Sequence, residues 1–275
     1  MSDQSAVTLD GVKHIVAVAS GKGGVGKSTT AVNLALALQR EGLSVGMLDA
    51  DIYGPSLALM LGIADGTKPE VAEGKYFIPL EAHGLKVMSM AFLLTDSSPV
   101  VWRGPMASGA MQQMLTQSLW GELDVLIVDM PPGTGDIQLT LAQKARLSGA
   151  VIVTTPQDLA LIDARKGLEM FQKVAVPVLG IVENMAIHQC SQCGHEEHIF
   201  GEGGGTRVAE QYGVELLGAL PLQMSIRAEA ESGIPSVAAD PASPASLHYR
   251  DIARRVAAKL QQDLGGARPV ISVED

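Results

Sequence analysis

Eight residues, Gly21 to Ser28 (GKGGVGKS), restrict this chain more than any other stretch. They match G-x-x-x-x-G-K-[ST], the P-loop pattern. Before them runs a short β-branched apolar segment, HIVAVAS (14–20). After them comes TTAVNLALALQREG (29–42), whose apolar residues recur at helical spacing and stop at Gly42, a C-cap residue. A strand, a glycine-rich loop and a helix in that order are the context that gives the pattern meaning. Gly21, Gly23, Gly24 and Gly26 let the backbone turn its N–H groups inward around phosphate oxygens, and the helix N-terminus adds partial positive charge. Lys27 is spaced to reach β- and γ-phosphates, and the Ser28 hydroxyl to ligate Mg²⁺. Lys22, Val25 and Thr29 complete the expected nucleotide-binding stretch, 21–29.

Further strands are predicted at SVGMLDAD (44–51), DVLIVD at the start of 124–136, GAVIVTTP (149–156), VPVLGIVENM (176–185) and ELLGALPL (215–222). KYFIPL and GLKVMSM, within 75–90, read as a hairpin or edge strands. Helices are expected at 105–120, with Pro105 in the first turn, and at about 245–264. Strands alternating with helices imply an α/β fold: a doubly wound, mostly parallel sheet covered on both faces. Residues 11–264 are expected to form a single P-loop ATPase domain with a CxxC loop near 186–203, and 1–10 and 265–275 flexible ends. No run of about 18 apolar residues occurs, so no membrane span is expected. The N-terminal residues carry no signal-peptide core, and two cysteines in 275 residues make no disulfide framework. The expected location is cytoplasmic. A net charge of −10 argues against nucleic acid as a partner.

Asp129 ends VLIVD, where a Walker B carboxylate reaches Mg²⁺ through water, and PPGTGD after it reads as a switch loop sensing the γ-phosphate. Asp49 and Asp51 end the second strand; either suits the site, and either could instead cap the following turn. Asn184 is placed as an adenine contact or as a turn residue.

The two cysteines, Cys190 and Cys193, lie in IHQCSQCGHEEHIFG (187–201). A buried inert pair is disfavoured by the polar surroundings. A redox pair would open a helix, which this segment does not resemble. Zinc within one chain would enlist His195 and His198, in a spacing much tighter than the usual Cys₂His₂ finger. A two-fold axis would bring two CxxC turns together and supply four thiolates.

KGGVGKST, with Lys22 ahead of Lys27, resembles the deviant Walker A of the MinD/ParA/nitrogenase-reductase group. In that group the early lysine reaches across a dimer to the partner's nucleotide. Together with LDADIYGPS, VVWRGPM, VDMPPGTGD, TPQDLAL, ENM and CxxCGHxxHIFG, the chain resembles the Mrp/ApbC iron–sulfur cluster carriers over roughly 11–260. The likeness is closest to the branch that includes the mitochondrial complex I assembly factor. The resemblance implies a homodimer that binds a labile [4Fe–4S] cluster between subunits through Cys190 and Cys193. It implies transfer from a cluster donor to apoprotein clients, and slow ATP hydrolysis with Lys22, Lys27 and Asp51 in catalytic roles. Asp51 would orient the attacking water, while Ser28, Asp49 and Asp129 would form the Mg²⁺ shell. The rival is a zinc-bridged targeting ATPase for membrane proteins, which needs a broad apolar groove; Met106, Met111 and Met114 are the residues that suggest one.

Overall fold

The computed structural model describes residues 9–52, 54–93, 104–190 and 192–265; the expected flexible ends fall almost wholly outside them. The chain runs β1 (Val12–Ala19), α1 (Lys27–Arg40), β2 (Val45–Asp49), a short α2 (Leu57–Met60), β3 (Val71–Ala72), β4 (Tyr76–Phe77), β5 (Leu80–Ala82) and β6 (Leu85–Ser89). It continues through α3 (Gly104–Gln117), β7 (Leu123–Asp129), α4 (Asp136–Lys144), β8 (Gly149–Thr154), α5 (Asp158–Lys173), β9 (Val178–Gln189) and β10 (Glu196–Glu197). α6 (Gly204–Tyr212), β11 (Leu216–Leu222), α7 (Met224–Glu231), α8 (Ser236–Ala239) and α9 (Pro244–Gly265) complete it.

β1 sits in mid-sheet, in the order β10-β9-β8-β1-β7-β2-β6-β5, with β11 also paired to β9. The pairings along the main sheet are parallel except β5 on β6 and β10 on β9. Strand periodicity explains why both faces are covered, since successive side chains point to opposite sides. Ile15, Ala17 and Ala19 of β1 enter one core, with Leu126 and Val128 of β7 and helices α3 to α6. Val16 and Val18 enter the other, with Val125 and Ile127, and with α1 and α9. α1 is covered on nearly every side: Leu34 and Leu38 are wholly buried. Truncating either to alanine would cost about 2–5 kcal/mol.

The doubly wound expectation holds, and the strands fall close to their predicted places. The hairpin expected within 75–90 is β5 and β6, and β6 extends the parallel sheet beside β2. The thiol segment differs from the expected loop. β9 continues four residues beyond the expected strand end at Met185, to Gln189, and returns through β10. Backbone pairing extends the strand here, not an apolar alternation, so composition alone concealed it.

Candidate functional site

Strand ends build the first site. β1, β7 and β2 are in register, so Val18, Asp129 and Asp49 lie side by side at the carboxyl edge of the sheet. The P-loop leaves β1 at this edge. Gly24 and Gly26 take φ of +81° and +79°, conformations that an L side chain resists. Gly26 precedes α1 and has no side chain to cap it, so the helix presents bare N–H groups. Gly21 is needed for another reason: a Cβ there would lie 2.1 Å from the Asp163 carbonyl of α5.

Lys27 is buried and bends back to Asp129, with Nζ–Oδ1 at 2.6 Å; Nζ also lies 3.2 Å from Ser28 Oγ and 4.0 Å from Asp51 Oδ2. The other oxygens of these two carboxylates, Asp129 Oδ2 and Asp51 Oδ1, are buried with no hydrogen-bond partner. Orphaned buried oxygens cost free energy unless something donates to them or coordinates them. Burial raises the Asp129 pKa, and Lys27 partly offsets that rise. Burial and the Asp129 charge push Asp49 up to about 7. One lysine thus faces two aspartates, Asp129 and Asp51, and their two open oxygens fit a divalent cation.

Asp49 has a separate occupation. Its Oδ1 accepts the Asp51 N–H at 3.1 Å, and its Oδ2 accepts the N–H groups of Ser56 (3.1 Å) and Leu57 (3.2 Å) and the Ser89 hydroxyl (3.1 Å). This geometry favours holding the turn from β2 to α2 over the place in the Mg²⁺ shell expected above. Asn184 is buried and donates through Nδ2 to the Val25 carbonyl at 2.8 Å, beside Gly26. It also borders a cavity of about 320 Å³ that Leu222, Gln223, Tyr249 and Met185 help to line. That size is within the range of small-molecule sites. Lys22 lies half-buried, with its carbonyl accepting the Ser20 hydroxyl at 2.9 Å.

The second site is the turn between β9 and β10. Cys190 N–H donates to the His195 carbonyl at 2.8 Å, Gly194 N–H donates to the Cys190 carbonyl at 2.9 Å, and Gly194 takes φ of +72°. This folding aims the backbone N–H groups of Cys193 and Gln192 at the Cys190 sulfur, which lowers its thiol pKa, assisted by the Cys193 side chain. A lowered pKa means more thiolate, the form that binds metal. Cys193 is exposed and Cys190 half-buried, both as free thiols. His198 is engaged elsewhere: its Nδ1–H donates to the Ala186 carbonyl at 2.8 Å, fastening the neck of the hairpin. Among the described residues, no group of three or more His, Cys, Asp or Glu side chains is gathered to hold a metal ion. The compact one-chain Cys₂His₂ arrangement is not formed.

The apolar groove of the rival reading is not formed by the α3 methionines. Met111 and Met114 are buried in the core at 1% and 0% exposure, and only Met106 is exposed. Sequence reasoning missed Glu183, whose carboxylate accepts the Gly205 N–H at 2.6 Å at the start of α6, and His188, whose Nδ1–H donates to the Leu222 carbonyl at 3.2 Å. The glycine directly after the second cysteine was the available signal for the tight turn.

A parallel sheet whose central strand feeds a glycine loop, with a lysine in that loop meeting a strand-end aspartate, defines a P-loop NTPase. The additional Lys22 and the thiol turn narrow the class. The chain belongs to the ParA family described as NUBPL iron-transfer P-loop NTPase, whose profile matches residues 11–257. It is 67% identical over 245 residues to the iron–sulfur cluster carrier protein of Pseudomonas fragi, covering 89% of this chain and 85% of that one. It is 59% identical over 252 residues to the protein of the same name from Escherichia coli K12, covering 92% and 68%. Among solved structures, a nucleotide-binding protein of Archaeoglobus fulgidus in complex with ADP is 39% identical, with a TM-score of 0.72, covering 82% of this chain and 88% of that one. Among the described residues, no helix is long and apolar enough to cross a membrane.

Proposed function

We propose that this chain is an ATP-dependent iron–sulfur cluster carrier working in the cytoplasm. Two copies meet about a two-fold axis, and Cys190 and Cys193 of each hold one [4Fe–4S] cluster as cargo. The observation that carries this reading is the thiol turn itself. It is exposed, it already directs N–H groups at one sulfur, and it lacks a complete ligand set among the described residues. A second copy supplies the missing pair. Held at an interface on a hairpin, the cluster remains accessible to a donor and to apoprotein clients.

ATP occupies the P-loop stretch 21–29, with Asn184 and the neighbouring cavity receiving adenine. Ser28 and Asp129 are the residues to hold Mg²⁺, and the two orphaned oxygens support that fit. When bound, the ion neutralises charge on the β- and γ-phosphates. Lys27 leaves Asp129 for the phosphates, Lys22 reaches the partner's nucleotide, and Asp51 orients the attacking water in slow hydrolysis. Residues 11–264 act as one unit. The test is anaerobic reconstitution with iron counted and oligomer size measured. The expected outcome is about two iron atoms per chain and about four per dimer. A monomer holding a complete metal site overturns the shared-cluster reading.

A further inference from the structure

One strand touches both sites. Asn184 of β9 contacts the P-loop at Val25, and His188, four residues on, donates to the carbonyl of Leu222, which lines the nucleotide-side cavity. Cys190 follows two residues later. Between these contacts β9 loses its register with β11: Ala219 pairs with Glu183, but Pro221 pairs with Ile187. Two steps along β11 therefore oppose four along β9. The excess falls at 184–186, where Met185 takes φ of +56°. A bulge re-aims the chain, and a non-glycine residue in the left-handed region stores strain.

The hairpin beyond the bulge is fastened back to it from its returning end. His198 holds the Ala186 carbonyl, and Glu183 holds the Gly205 N–H where the hairpin enters α6. A shift of 184–186 therefore carries the thiol turn with it. The far side of the bulge is clamped to the cavity wall by His188.

We propose that the bulged segment 184–186 couples nucleotide occupancy to the thiol turn, with His188 as the positioning residue that transmits it. A nucleotide entering the cavity displaces Asn184 and, on β11, the Leu222 to which His188 is tied. Met185 in the left-handed region stores strain that a small displacement of either attachment would release. Because binding free energies are reciprocal, cargo at the thiol turn alters nucleotide affinity by the same factor as nucleotide alters cargo affinity. The purpose of this coupling rests on the carrier reading, but the mechanical link does not.

The experiment uses metal-free full-length protein and amide hydrogen exchange, with and without a saturating non-hydrolysable ATP analogue and Mg²⁺. In the wild type the analogue changes exchange across 187–200 by at least about fivefold, the lower end of usual couplings. His188→Phe keeps ring bulk and drops the donor, so the response at 187–200 is lost while the P-loop amides remain protected. His188→Asn retains a donor at similar reach and restores it. An unresponsive hairpin in the wild type overturns the proposal without any variant having to fold. A His188→Phe response equal to wild type overturns the role of His188. Failure of iron reconstitution would sink the carrier reading and leave the exchange result standing.

Discussion

At the P-loop, Lys27, Asp49 and Asp129 are 6%, 0% and 0% exposed, whereas beyond the C-terminal end of β9 Cys193 stands exposed. The first site sets charges against one another in a dry interior, where electrostatic interactions are strong and water is controlled. The second uses backbone N–H groups on a two-strand hairpin and leaves its sulfurs within reach of other molecules. Turnover of a phosphoanhydride benefits from enclosure; handing over a metal cluster requires access. If this contrast is functional, damage at one end should spare the chemistry of the other.

Lys27→Ala tests it most severely. It removes the buried cation that meets Asp129 and the group expected to reach the phosphates, and ATP turnover should fall about 10³-fold or more. Iron content after reconstitution without nucleotide should be unchanged. Wild-type turnover would refute the assignment, and loss of iron as well would break the separation. Asp51→Asn keeps size and loses charge. It should bind MgATP, measured by calorimetry, while turning it over about 10²-fold more slowly. Lost binding with normal turnover per bound nucleotide would move Asp51 into the binding shell.

Cys193→Ala should lower reconstituted iron by about tenfold or more, because half the thiolates are gone. Metal-free Cys193→Ala should bind MgATP as the wild type does. Replacing His195 and His198 by Ala should retain most of the iron, and complete loss would restore the histidines as ligands. Glu41→Gln, away from both sites, calibrates a purely structural change. Glu41 joins the end of α1 to α9 through Arg250 (2.9 Å) and Arg254 (3.1 Å). Arg254 above all, then Arg250, lowers the Glu41 pKa, so the pair stabilises the fold at pH values above an ordinary glutamate pKa. The loss in urea unfolding should be about 1 kcal/mol or less, and the gap should close as pH falls through the lowered pKa. A gap that persists in acid would mean that packing, not charge, sets the Glu41 contribution.

The nucleotide half was legible because its signals are local. A glycine pattern between strand and helix names its own geometry, and the continuous apolar runs HIVAVAS and VLIVD forecast buried parallel strands. The roles of Asp49 and Asp51 were not separable, since both end one strand and differ only in what folds back on them. Four donors, from residues 51, 56, 57 and 89, converge on Asp49 and leave Asp51 with an open oxygen. No window of sequence contains that fact. Likewise IHQCSQCGHEEHIF carries no strand alternation; β9 persists there because β11 and β10 supply hydrogen-bond partners. Asn184 could be read from sequence only as an adenine contact or a turn residue, and its hold on Val25, 159 positions earlier in the chain, was not legible.

The neck that His198 closes on Ala186 also makes the thiol turn a cassette. Both ends of 189–197 are pinned by neighbours outside it, His188 on Leu222 and His198 on Ala186, so the hold on the segment does not run through its thiols. A foreign metal-binding turn of matching span could be grafted between those two histidines, giving an ATPase whose cargo is chosen by nine residues.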